Sequence, residues 1–161
     1  MLSIVITVLI AFFGTSLFGY TVHRSLHQKW TGFLNKKHMN HHLIQYPHTD
    51  YVSDTYRDAG KDNTVFIFMA ASVPLVAFPI ILGILGIMSL SCIIIAEVIM
   101  LTMGFLHNYI HDAFHIRNHF LNKIPLFVKW NELHYQHHIN MQANFGIFLF
   151  HWDSVFKTLY K

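Results

Sequence analysis

Apolar residues run without a charge over residues 2–22, and again over residues 64–106 apart from Glu97. The first run is about the length that a bilayer-crossing helix needs. The second is roughly twice that length and contains Pro74, Pro79, Gly83 and Gly86, so it predicts two helices turning near Gly83-Ile84-Leu85-Gly86. Three spans follow, at about 2–22, 64–83 and 87–106. The first run lacks the basic start and small-residue cleavage site of a signal peptide, which predicts a retained helix. The stretch from Pro47 through Asp50, Asp54, Asp58 and Asp62 reads as a surface loop leading back to the bilayer. Residues 124–130 are amphipathic with a Trp, and predict an interfacial segment leading into the helix of His134. No linker or low-complexity tract divides the chain, so residues 1–161 read as a single domain.

Composition strengthens the membrane reading. Hydrophobic residues make up 53% of the chain and charged residues 12%, where soluble proteins carry about a quarter charged. The net charge of +3 is small and dispersed, and no aromatic-plus-basic motif accompanies it, which argues against nucleic acid as a partner. Cys92 is the single cysteine, so no internal disulfide is available. Arg24, Lys29, Lys36, Lys37, Arg57 and Lys61 fall between the first and second spans, and Arg117, Lys123, Lys129, Lys157 and Lys161 after the third. The positive-inside rule then places both polar segments in the cytoplasm and the N-terminus outside. The expected fold is an all-α integral membrane bundle of about three transmembrane helices under a cytoplasmic histidine-rich helical cap. A bacterial inner membrane and the endoplasmic reticulum fit equally.

The polar segments hold the chemistry. Ten of the 14 histidines form four clusters: His23-x-x-x-His27, His38-x-x-His41-His42, His107-x-x-x-His111 and His134-x-x-His137-His138, with His115 extending the third. Residues three and four apart share a helix face, so each cluster is expected to aim its imidazoles at one point. An ion held by nitrogen uses about four or five ligands and leaves a position open, so ten rings predict two metal ions. Asp112, Glu132, Asn108, Asn131 and Asn140 adjoin these histidines and are candidates to hold the second ring nitrogens. His48, His119 and His151 are recruited by no spacing and read as interfacial residues. Glu97 lies about 15 Å along a helix from His107 and so outside the ligand set. A metal transporter is disfavoured because the spans hold no histidine before residue 107, and a structural zinc site because no cysteine joins the rings.

The order HxxxH, HxxHH, HxxxH, HxxHH between apolar runs resembles the fatty acid hydroxylase and sterol desaturase superfamily of membrane histidine-box oxidoreductases. The tail is similar too, in Asn144-Phe145-Gly146 and Trp152-Asp153-Ser154-Val155-Phe156, with Lys157 where that pattern has a glycine. The resemblance covers residues 22–158. It implies a non-heme di-iron centre, two Fe ions with O2 as co-substrate, that hydroxylates a C–H bond of a lipid such as a fatty acyl chain. Carried over by motif, the ligands are His23, His27, His38, His41, His42, His107, His111, His134, His137 and His138. Read as HD-x-x-H, the third cluster is instead His111 and His115, which resembles carotenoid hydroxylases, so His115 joins the set. Asp112 and Asn144 are the expected supporting residues. A carotenoid hydroxylase, or a sterol or lipid desaturase with the same centre, is the alternative activity; a non-catalytic membrane metal-binding protein is the alternative class. These 161 residues contain no redox module, so electrons are expected from a separate cytochrome b5-like or ferredoxin-like donor.

Overall fold

The computed structural model describes residues 3–57 and 64–160, with residues 64–71 by backbone alone. Among the described residues it is all-helical: six α-helices and no named strand, with one isolated bridge between Ser53 and Ile116. They are α1 (Ile4–Leu26), α2 (Phe33–Asn40), α3 (Thr64–Ile84), α4 (Leu90–Phe114), α5 (Pro125–Ile139) and α6 (His151–Val155). Asp58 and Asp62 of the predicted loop lie outside the described residues.

Among the described residues two helices, α1 and α4, are long and apolar enough to cross a membrane, and only 17% and 22% of their apolar windows is buried. The core helix of a soluble protein would bury most of such a window. On α4 the exposed residues Leu90, Ile94, Val98, Leu101 and Phe105 form one stripe, spaced three and four apart as a single lipid-facing side requires. The opposite side supplies Cys92, Ala96 and Met100, which pack against Ala11 of α1. Helix α3 has 21 residues, of which 72–84 form a shorter apolar helix. Pro74 and Pro79 lie inside it without ending it.

Serine hydroxyls start both long helices. Ser3 accepts from the Ile6 amide at 3.3 Å and Ser89 from the Cys92 amide at 3.4 Å, each supplying one acceptor to the open first turn. The predicted turn is present between α3 and α4. Gly86 has φ +71°, which a side chain would strain, and a Cβ at Gly83 would sit 2.3 Å from the Ile93 side chain. A side chain at 83 would therefore displace the end of the Ile93 side chain.

The third predicted span and the third histidine cluster are one continuous helix, since α4 runs on to Phe114. The predicted interfacial segment and the helix of His134 also merge: α5 begins with Pro125 in its first turn, where a missing N–H costs nothing, and buries Phe127 while leaving Leu126 exposed. Beyond α2 the chain widens into a π-type turn over His41–Gln45. Residues 51–53 are then pinned to the end of α4: the Ser53 amide donates to His115 O and the Arg117 amide to Ser53 O, both at 2.9 Å.

Candidate metal centre

Nine histidines converge between the ends of α1, α2, α4 and α5, and every one is buried. They form two groups whose facing nitrogens lie within 4.8 Å of one another: His23, His27, His38, His42 and His137, and then His41, His115, His134 and His138. The expectation that each cluster aims at one point is not what the geometry shows. Both HxxHH clusters are divided: His38 and His42 share the first group while His41 enters the second, and His134 and His138 share the second while His137 enters the first. Successive helix residues are about 100° apart, so i and i+4 point nearly together while i+3 and i+4 diverge. One short motif thus serves two neighbouring sites. The groups abut, with the rings of His42 and His138 centred 4.1 Å apart.

Main-chain carbonyls set the tautomers. The Nδ1 atoms of His23, His137, His138 and His115 lie 2.7, 2.6, 2.8 and 2.9 Å from the carbonyl oxygens of Phe145, Ala143, Tyr46 and Tyr51. A carbonyl only accepts, so Nδ1 carries the proton and Nε2 keeps the lone pair that a metal takes. In the first group Nε2 of His27 lies 3.0 Å from that of His137 and 2.9 Å from that of His38, which is 3.2 Å from that of His42. Two nitrogens bound to one ion at about 2.0–2.1 Å and at right angles are themselves about 3 Å apart. In the second group, both nitrogens of His41 and His134 and the Nε2 atoms of His115 and His138 are buried without a hydrogen-bond partner among the described residues. A buried polar atom left unpaired costs about 1–3 kcal/mol, so these lone pairs fit an ion better than an empty pocket. The donor set, all imidazole, suits iron, zinc, copper or nickel.

Burial also keeps the rings uncharged. Loss of hydration, followed by repulsion from neighbouring imidazoles, holds His38, His41, His42, His134 and His137 well below the ordinary histidine range. Burial lowers His115 in the same way and takes His138 down to about 3, against the opposing pull of the Tyr46 carbonyl. A neutral ring is the ligating form.

Two candidates stand apart from the close groups. His111 is buried beside them, its ring centred 4.8 Å from that of His41 and 5.0 Å from that of His134, with Nδ1 3.4 Å from an Asp112 carboxylate oxygen. His107 faces a cavity of about 500 Å³ between α1, α3, α4 and residues 146–149, against Gly19 and Phe148. His115, by contrast, is inside the second group and fully buried.

The tail serves as a brace. The Asp153 carboxylate accepts from the amides of Phe145 and Gly146 at 2.8 Å each and from the Thr158 hydroxyl at 2.7 Å. Asn144 is fully buried. Its amide donates to the carbonyls of Leu133 and Tyr160 and its oxygen accepts from the Tyr160 amide, which sews the C-terminal strand of chain to α5. A Cβ at Gly146 would stand 2.9 Å from both Asp153 Oδ2 and Leu149 O, so only glycine fits. The loop held this way is the one that offers the Ala143 and Phe145 carbonyls to His137 and His23. Lys157 adopts φ +57°, the left-handed turn expected of the glycine it replaces.

Sequence reasoning missed the carbonyl partners and the tyrosines. Tyr46 is fully buried and stacks on His115 at 4.1 Å; Tyr51 packs edge-on to His115 and His138 and donates to Asn131 at 2.8 Å. No spacing marks a carbonyl, and both tyrosines lie in a segment without periodicity.

The family model described as Fatty acid hydroxylase matches residues 8–158. No curated protein and no solved structure matches the chain.

Proposed function

The chain belongs to the fatty acid hydroxylase family, and from that premise we propose that it is a membrane-bound, O2-dependent di-iron enzyme that hydroxylates a C–H bond of a lipid. The observation that carries this reading is the division of nine buried histidines into two adjoining groups with their lone pairs turned inward. Two ions fit that arrangement, and His111 stands ready as a further ligand to the second. Bound iron would supply the activation of O2 and the abstraction of hydrogen. The protein supplies the rest. Carbonyls of Tyr46, Tyr51, Ala143 and Phe145 fix the ring orientations. Packing by Tyr46, Phe114 and Phe145, all fully buried, keeps water from the rings. The cavity beside His107 opens between α1, α3 and α4, which suits a chain entering from the bilayer.

The membrane arrangement proposed is three spans, α1, α3 and α4, with the histidines on the cytoplasmic side and electrons delivered by a separate donor protein. A second reading, hydroxylation of a carotenoid ring, draws on the place of His115 inside the close group, with its HD-x-x-H partner His111 beside it at 5.3 Å between ring centres. Mass spectrometry of lipids from a host expressing the chain tests both. A lipid gaining one oxygen, absent with His138→Ala, supports hydroxylation, and the identity of that lipid separates acyl from carotenoid substrates. A product lacking two hydrogens means desaturation. No altered lipid in a metal-loaded chain supplied with reductant contradicts the proposal.

A further inference from the structure

The two histidine groups differ in the rings that surround them. In the first, Phe145 packs against His23, His27 and His137, with ring centres 6.0, 5.6 and 5.6 Å away. Tyr20 lies behind that phenyl ring at 5.8 Å. Among the described residues no tyrosine or tryptophan ring stands directly against a histidine of this group. The second group is flanked by tyrosines. Tyr51 packs against His115, His138 and His134 at 4.7, 5.0 and 6.1 Å, and Tyr46 stacks on His115 at 4.1 Å. A phenyl ring resists one-electron oxidation, whereas a phenol gives up an electron together with its hydroxyl proton.

Of the two tyrosines at the rings, Tyr51 leads to the surface. Its ring packs at 5.1 Å against that of Tyr135, which is 36% exposed. Its hydroxyl donates to Asn131 at 2.8 Å, and Tyr51, Asn131 and Tyr135 line one surface groove together with Arg117 and Glu132. Charged walls keep that groove wet, so water there can take the phenolic proton. Tyr46 is less well placed. Tyr56 stacks on it at 5.5 Å, but the Arg57 guanidinium lies 5.2 Å over the Tyr46 ring. A cation there opposes removal of an electron.

Resting on the proposed oxygen chemistry, we propose that Tyr51 and Tyr135 form an outlet for oxidising equivalents. It carries them from the second group to the surface when no lipid consumes them, and so spares the histidines. With hydrogen peroxide as the oxidant, the metal-loaded centre takes one electron from Tyr51, whose hydroxyl proton passes to water in the groove. Tyr135 then returns an electron to Tyr51, which regains a proton from that water, while Tyr135 loses its own proton to solvent. Two passes, with Tyr135 restored between them by a soluble reductant such as ascorbate, convert one peroxide to two waters. Without the reductant the missing electron stays on tyrosine.

The test uses the full chain, loaded with iron, oxidised to the ferric state and free of lipid. It is mixed with hydrogen peroxide, frozen at once and read by electron paramagnetic resonance. A tyrosyl signal is expected, at least fivefold weaker in Tyr51→Phe and unchanged in Tyr46→Phe. In Tyr135→Phe the signal should remain but relax faster, because it is then confined to Tyr51 beside the iron. Peptide mass spectrometry after repeated peroxide should find oxidised His115 and His138 at least threefold more abundant in Tyr51→Phe than in the wild type. The outlet is overturned by a wild type without tyrosyl signal, by a signal that survives Tyr51→Phe or falls equally in Tyr46→Phe, by relaxation unaltered in Tyr135→Phe, or by histidine oxidation no higher in Tyr51→Phe. Iron content and lipid oxidation are read on every sample. A chain that holds two irons and oxidises lipid yet shows no tyrosyl signal refutes the outlet alone. A chain that holds no iron refutes the activity and the outlet together.

Discussion

His42 and His138 belong to different groups although their rings are centred 4.1 Å apart. Removing either should therefore unload one site and leave the other. Metal analysis of His42→Ala and of His138→Ala is expected to find about one ion fewer per chain in each, and the double variant should lose both. His107→Phe should keep the full complement, because His107 faces the cavity rather than the close groups. Lys157 offers a test of a different kind. A lysine at φ +57° carries a strain of about 1–2 kcal/mol that glycine avoids, partly offset by the flexibility glycine adds to the unfolded chain. Lys157→Gly is expected to raise the melting temperature by about 2–4 °C, near 1 kcal/mol for a chain of this size, with metal content unchanged. At individual residues, much of the site was legible in the sequence because ligands must be histidines, and their spacing shows. The choice between His107 and His115 was not legible, since both lie four residues from His111. Only packing at the end of α4, where residues 51–53 present the Tyr51 carbonyl, draws His115 into the group.

Among the elements, the link between the tail and the ligands is the least evident from sequence. Gly146 is packed against Asp153 and Leu149 O, and its neighbour Phe145 holds His23. Gly146→Ala should displace that carbonyl and lower metal content in the first group, whereas Gly14→Ala, where an added Cβ meets nothing, should not. The elements themselves were legible to a degree that follows from their physics. Apolar length marked α1 and the α3–α4 pair, and glycine marked their turn. The π-type turn at His41–Gln45 left no trace, because its residues match an ordinary helix face. The idea of one aim per cluster failed for the same reason: periodicity gives the face, not the number of targets on it.

For the molecule as a whole, the buried rings make stability depend on pH. In the metal-free chain the folded rings stay neutral well below the unfolded value of 6.5, and His138 does so down to about 3. Below pH 6.5 the unfolded chain therefore binds more protons than the folded one. Stability falls as pH drops through that window, by up to about 1.4 kcal/mol per pH unit for each such ring. Denaturation midpoints of metal-free chain between pH 7.5 and 5 should decline steeply. Metal should shift the decline to lower pH, since protons must displace it. Overall composition and the apolar runs made the long, weakly buried helices legible. The closing of two distant histidine segments into one centre was expected from their order between the apolar runs, and it depends on α1 packing along α4.

Iron content per chain is the most direct test of a di-iron centre. Full-length protein reconstituted anaerobically with ferrous iron, freed of loose metal and measured by mass spectrometry against protein concentration, is expected to hold two irons per chain and none when His42→Ala and His138→Ala are combined. One iron or fewer in the wild-type chain, or two retained in the double variant, would contradict it.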